Sequence, residues 1–270
     1  MCPTINIFGL EIDMYTVWFI IGIVACLIYT VIAMKKSGYS RSASDAIIII
    51  GLFAISIGLL FGMLFQAFYN LIAGKGFKFE GMTFIGGLIG GVIAFLGLYF
   101  LYVYAINPKL KDGNFFNSDM TKGVWYLVRI APASITIAHA FGRIGCLFAG
   151  CCHGHETHEW YGIYSHNAGT TVVPTQLYEA IFLFVLSAVL IVLLFKFKSK
   201  DTMAIYLVSY GVWRFIIEYF RDDYRGSFIP GLSPSQFWSI IMVIAGIIVF
   251  ILYRYFDKII EYNKQKRDAN

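Results

Sequence analysis

Long apolar runs alternate with short polar interruptions along this chain, and the runs recur at approximately 14–34, 46–69, 82–104, 124–150, 177–195, 203–220 and 235–256. Each is near the ~20 residues that a helix needs to cross a bilayer. Within a run the apolar residues fall all around a 3.6-residue period, without the strict alternation of barrel strands. The pattern predicts an all-α polytopic membrane protein. Its seven transmembrane helices form a single integral membrane domain over 1–270.

Composition agrees with this reading. Apolar residues make up 59% of the chain and charged residues 14%, against roughly 45–50% apolar in soluble domains. The sparse basic residues then set the orientation. Lys35, Lys36 and Arg41 lie in the first loop, Lys109, Lys111 and Lys122 in the third, and Lys196, Lys198 and Lys200 in the fifth. The tail carries Arg254, Lys258, Lys264, Lys266 and Arg267, whereas the other side holds only Lys75, Lys78, Arg221 and Arg225. By the positive-inside rule we expect the N-terminus outside and the C-terminus in the cytoplasm, with loop 151–173 extracytoplasmic. The net charge of +5 suits anionic inner-leaflet headgroups and requires no nucleic acid. Met1–Asp13 has no basic n-region or cleavage site, so no secretory leader is expected, and no apolar segment precedes Cys2.

No half-to-half repeat of the transporter kind is apparent. Glycines cluster instead. Gly58 and Gly62 have the small-x-x-x-small spacing of close helix packing. The run containing Gly81, Gly86, Gly87, Gly90 and Gly91 is denser than packing alone requires. We expect it to present backbone N–H groups to a headgroup at a helix N-terminus.

Of the basic residues, three are left over from the loops and tail and fall inside the apolar runs: Arg129, Arg143 and Arg214. A charge at membrane depth costs at least ~2.5–3.5 kcal/mol, so it needs a partner or a task. Arg143 has small neighbours, Gly142 and Gly145, and His139 four residues earlier on the same face. The bland alternative, an arginine snorkelling from a helix end, would not need that space. Tyr210, Arg214, Glu218 and Arg221 form a polar stripe on another apolar helix. An internal Arg214–Glu218 pair would satisfy both charges but gains little over an apolar pair. Paired guanidiniums instead suit phosphate oxygens. Pro174-Thr-Gln-Leu-Tyr-Glu179 places Gln176, Tyr178 and Glu179 where the long loop enters the next span, a pattern that ordinary helix initiation also produces.

Cys146, Cys151 and Cys152 have no C-x-x-C spacing, and vicinal cysteines rarely chelate one ion together. We expect no metal site and no cofactor. Cys146 and Cys26 are expected to pack as small apolar residues, and a disulfide at the extracytoplasmic mouth is an alternative for one of Cys151 and Cys152.

Taken in order, five segments resemble the bacterial prolipoprotein diacylglyceryl transferases. They are Gly81-Met-Thr-Phe-Ile-Gly-Gly-Leu-Ile-Gly90, Gly142-Arg-Ile-Gly145, Pro174–Glu179, Tyr210-Gly-Val-Trp-Arg214 with Glu218 and Arg221, and Ser233–Gln236. The resemblance implies seven helices around a central lipid-accessible cavity in the bacterial cytoplasmic membrane. It implies transfer of the diacylglyceryl group of phosphatidylglycerol to a lipobox cysteine of a prolipoprotein, with release of glycerol phosphate. Arg143 and Arg214 would clamp the phosphate, with Tyr210 beside them. Gly142, Gly145, Gly86, Gly87, Gln176, Tyr178, Glu179, Glu218 and Arg221 would bind substrate.

The chain departs from the family pattern at four positions that bear on the chemistry. A histidine normally stands between the Phe and the Gly-Gly of the first motif, and here it is Ile85. The Asn, Asn and Glu that normally follow Gly-Arg-x-Gly are Cys146, Ala149 and Cys151. Isoleucine cannot move a proton, so either another group takes that part, with His139 and His153 the nearest candidates in sequence, or the acceptor is different. The competing functions are transfer from the same lipid to a non-protein acceptor, and lipid binding or transport without catalysis.

Overall fold

The computed structural model describes residues 3–7, 10–39, 41–72, 74, 76–79, 81–106, 120–222 and 231–268. A short hairpin, β1 (Thr4–Ile7) with β2 (Leu10–Asp13), leads into α1 (Met14–Lys36). Asp13 starts that helix by accepting hydrogen bonds from the Thr16 N–H at 2.9 Å and hydroxyl at 2.7 Å. These bonds hold its carboxyl below the usual carboxylate range. Then follow α2 (Arg41–Ile72), α3 (Phe84–Leu101) with a π-helical turn at Tyr102–Ile106, and α4 (Met120–Ala149). A second hairpin, β3 (Ile163–Ser165) with β4 (Thr170–Val172), precedes α5 (Thr175–Phe195). The chain ends with α6 (Thr202–Ile217), a 3-10 turn at Glu218–Phe220, and α7 (Pro234–Asp268).

Six of these helices are long and apolar enough to cross a membrane. The remaining one, α6, has 16 residues, because its last turn tightens to 3-10 geometry where the predicted span continues to 220. Two other expected boundaries shift: α7 runs to Asp268, beyond the predicted end at 256, and α4 begins at Met120. Neither hairpin was legible from hydropathy. The outward surface is apolar, with Phe53 60%, Ile93 64% and Ile251 59% exposed, as a lipid solvent demands. Lys75, Lys109, Lys111 and Arg225, which enter the orientation argument, lie outside the described residues.

The chain divides into two compact units, residues 31–126 and residues 1–30 with 127–270. In the former, α2 and α3 pack backbone to backbone. A Cβ on Gly58 would stand 2.8 Å from the Gly87 carbonyl oxygen and 3.2 Å from the Gly91 Cα, so the glycines permit the approach. In the latter, Ala133, Ala140, Leu183, Leu186, Leu190, Tyr206 and Tyr210 form the buried cluster joining α4, α5 and α6. Phe182 stacks on Trp213 at 4.4 Å beside it. Ser134 on α4 and Thr30 on α1 share a 2.9 Å hydrogen bond, a small polar link of the kind used between helices in lipid.

Candidate active site

Helical spacing puts His139, Arg143 and Cys146 on one stripe of α4, with steps of four and three residues. Facing it, Glu179 lies in the second turn of α5, and Tyr210 and Arg214 lie one turn apart on α6. Glu179 is the hub. Its side chain is 1% exposed, and its Oε2 stands 3.0 Å from Arg143 Nε and 3.5 Å from Arg214 Nη1. Tyr210 donates its hydroxyl to Oε1 at 2.8 Å, and His139 Nε2 is 3.8 Å from the same oxygen. The His139 ring meets Tyr210 edge-on at 5.1 Å. One carboxylate thus gathers two guanidiniums, an imidazole and a phenol in a dry environment. Removing it would leave two buried cations sharing no anion.

A second layer holds Arg214 from the far side. Its Nη2 is 2.9 Å from Glu218 Oε2 and donates to the Ser235 hydroxyl at 2.9 Å. Glu218 Oε1 accepts from the Ser233 hydroxyl at 2.9 Å, and Arg221 Nε lies 3.8 Å from Oε2. Ser233 and Gln236 cap α7 reciprocally: the Gln236 N–H donates to the Ser233 hydroxyl, and the Ser233 N–H donates to Gln236 Oε1. The cap that starts α7 therefore also positions Glu218.

Two features make this cluster receptive to a ligand. Arg143 Nε and Arg214 Nη1 are buried without a hydrogen bond of acceptable angle, although both approach Glu179. A Cβ built on Gly142 meets nothing within 4 Å, so open space adjoins Arg143. Gly145 serves differently, since a Cβ there would stand 3.2 Å from Tyr15 on α1.

The other expected site residues fall in several places. Gln176 is buried and donates to the Cys151 carbonyl, bracing the loop. Tyr178 lines an apolar groove of about 310 Å³ with Ile181, Phe182, Val185 and Trp213, on a different face of α5 from Glu179. Gly86 and Gly87 belong to the α2–α3 packing. A Cβ on Gly86 would strike Phe65 at 2.6 Å, and one on Gly87 would meet the Gly58 carbonyl at 3.3 Å. The Ile85 side chain lies outside the described residues.

Sequence reasoning gave Glu179 only a supporting part and did not connect Ser235 to Arg214. The Pro174–Glu179 pattern looks like helix initiation, and only the convergence of three helices makes its glutamate central. The proximity of the cysteines was not legible from their spacing either. Gly150 and Cys151 close α4 in a Schellman arrangement: the Gly150 N–H donates to the Leu147 carbonyl at 3.2 Å and the Cys151 N–H to the Cys146 carbonyl at 3.2 Å. Cys152 follows at φ +62°. The chain is thereby folded back so that the sulfurs of Cys146, Cys151 and Cys152 all lie within 4.8 Å of one another. The Cys151 thiol donates to the Cys146 carbonyl at 3.7 Å, and Cys152 faces the Arg221 guanidinium, whose charge favours a thiolate there. His155, by contrast, braces the loop through Asp222 and the Tyr219 carbonyl.

Comparison with known proteins agrees with the geometry. A family model described as prolipoprotein diacylglyceryl transferase matches residues 3–252. The chain is similar to the phosphatidylglycerol–prolipoprotein diacylglyceryl transferase of Clostridium tetani, at 33% identity over 262 residues, 93% of this chain and 96% of that protein. It is similar to phosphatidylglycerol–prolipoprotein diacylglyceryl transferase 2 of Clostridium perfringens, at 34% over 194 residues, 63% of this chain and 75% of that protein. A relative of the first name from Dehalococcoides mccartyi is 29% identical over 268 residues, 92% of each chain.

Proposed function

Because the chain belongs to the prolipoprotein diacylglyceryl transferase family, we propose that it moves the diacylglyceryl group of phosphatidylglycerol onto the thiol of a prolipoprotein lipobox cysteine. Glycerol phosphate leaves. The thiolate sulfur attacks the glyceryl methylene carbon, a C–S bond forms, and the C–O bond breaks with its electron pair going to the phosphate oxygen. That oxygen is where negative charge grows, so preorganised cations there supply the largest stabilisation.

The observation that carries this reading is the pair of buried guanidiniums, Arg143 and Arg214 from two different helices, that converge on Glu179. Open space beside Gly142 adjoins Arg143 and gives a phosphate group a place to approach this cationic pair. Tyr210 and Glu179 hold the two cations in register, and Glu218 with Arg221 supports Arg214. Tyr178 and its apolar groove suit an acyl chain of the donor. Gly86 and Gly87 are assigned to the lipid-binding machinery through the backbone of α3. His139, beside Glu179, receives the proton of the acceptor thiol.

The finer topology belongs to the same proposal. The helix Thr202–Ile217 with its 3-10 extension supplies a seventh span around a lipid-accessible cavity, in a single membrane domain. The N-terminus is outside and the C-terminus inside the bacterial cytoplasmic membrane, placing loop 151–173 and the acceptor on the outer side. Expression in a conditional strain depleted of the family enzyme tests the function. Growth and the mobility shift of a reporter lipoprotein are expected to return. Failure to modify the reporter, with normal membrane accumulation, would favour the non-protein acceptor, and absence of any lipid turnover would favour passive lipid binding.

A further inference from the structure

Cys146, Cys151 and Cys152 are three nucleophilic groups that the phosphate clamp leaves unused. Their sulfurs lie within 4.8 Å of one another. Three thiolates at ~2.3 Å from one tetrahedral ion stand about 3.8 Å apart, so closing on an ion needs only side-chain adjustment. The objection from vicinal spacing is met by the backbone, since left-handed residues at Gly150 and Cys152 turn the pair back over the helix end. A non-glycine residue there costs about 1 kcal/mol or more and is found where the surroundings enforce it.

The surroundings do enforce it. Gln176 donates to the Cys151 carbonyl, Thr175 to the Cys152 carbonyl at 2.9 Å, and Asn167 to the Ala149 carbonyl at 2.8 Å. The start of α5 and the β3–β4 hairpin thus pin the loop. Arg143 and Arg221 lie within electrostatic reach of the cluster and oppose the repulsion among thiolates. Cys146 sits four residues after Gly142, on the face of α4 that carries the open space and Arg143. Cys151 is exposed, which gives access from the loop side.

We propose that Cys146, Cys151 and Cys152 hold one zinc ion as thiolates and leave its fourth position for the acceptor thiol. Three protein ligands with one position open is the arrangement of catalytic zinc, whereas structural sites are closed by four. A thiol bound there is deprotonated. The acceptor sulfur keeps its electron pair, its proton passes through water to His139, and the sulfur attacks the glyceryl carbon while the C–O electrons go to phosphate. No oxidant or reductant is required. The cluster supplies what Ile85 cannot, and the proposal rests on the transferase reading above.

The test uses the full-length protein, purified under reducing conditions in detergent. About one zinc per chain is expected by mass spectrometry of metals. Cobalt exchanged into the site should show thiolate charge-transfer and tetrahedral d–d bands. A synthetic lipobox peptide should shift those bands, and its serine twin should not. Cys146→Ser, Cys151→Ser and Cys152→Ser should each lose the metal and lower phosphatidylglycerol-dependent transfer by about 100-fold. His139→Gln should retain the metal. Transfer that persists without metal, cobalt bands indifferent to the peptide, or a disulfide among these cysteines in active protein prepared without reductant would each overturn the proposal. Transfer by a metal-free protein sinks the zinc while the transferase stands. Bands that respond to the peptide without thioether formation would uphold the thiol site and sink the transferase reading.

Discussion

The α2–α3 pair and the α4–α5–α6 cluster are both made of apolar helices, yet they are held by opposite means. Between Ala46 and Ile72, and throughout α3, there is no charged residue, and Gly58 lies against the Gly87 carbonyl and Gly91. The other region buries Arg143, Glu179 and Arg214 within ion-pairing distance. In lipid, apolar side chains gain little by leaving one apolar solvent for another. Close backbone packing is therefore the inexpensive way to join helices. Buried charges are a costly way, and a structure that keeps them is using them for something other than cohesion.

The largest expected effects test that contrast directly. Arg143→Ala and Arg214→Ala should each reduce transfer by about 1,000-fold or more while the protein still accumulates in the membrane. Arg143→Lys should also largely fail, since an ammonium cannot offer a bidentate fork. Near-normal turnover in the lysine variant would make Arg143 a structural cation. Glu179→Gln should cost both activity and stability, the latter by about 3 kcal/mol, because two guanidiniums lose their shared anion. Thermal unfolding in detergent measures that loss.

His139→Gln comes next. Turnover should fall by about 100-fold, with donor-lipid binding retained, as measured by titration with a phosphatidylglycerol analogue. A change within a few-fold would remove His139 from proton transfer. Gly58→Leu should act the other way. The added side chain meets the Gly87 carbonyl and should destabilise the helix pair by about 1–3 kcal/mol, with specific activity of the folded fraction close to wild type. Activity loss comparable to Arg143→Ala would show that the glycine face is more than packing.

The smallest effect is at the N-terminal hairpin. Asp13→Ala should lower stability by about 0.5 kcal/mol through the lost cap on α1. Since the carboxyl is held below its ordinary range in the folded state, the wild-type contribution is present above the unfolded carboxylate value. It fades as pH falls through the folded one. The difference in unfolding temperature between wild type and variant should therefore shrink on acidification.

Hydropathy by itself determined that this chain is a bundle of apolar helices and located six of them to within a few residues, because bilayer thickness and backbone hydrogen bonding leave few alternatives. Cost by itself singled out Arg129, Arg143 and Arg214, and small or polar neighbours set the last two apart. The sequence also carried Glu179 and the three cysteines, but not their weight. A glutamate near a helix start and cysteines one and five residues apart are locally ordinary. Their chemistry depends on which helix faces which, and on a left-handed turn at Cys152. The tertiary structure alone decided that Glu179 joins two cations from different helices, because long-range pairing leaves no periodic trace in one strand of sequence. It alone decided that a helix cap folds Cys151 and Cys152 back over Cys146, because that direction is set by backbone torsions and by Thr175, Gln176 and Asn167, which lie far along the chain.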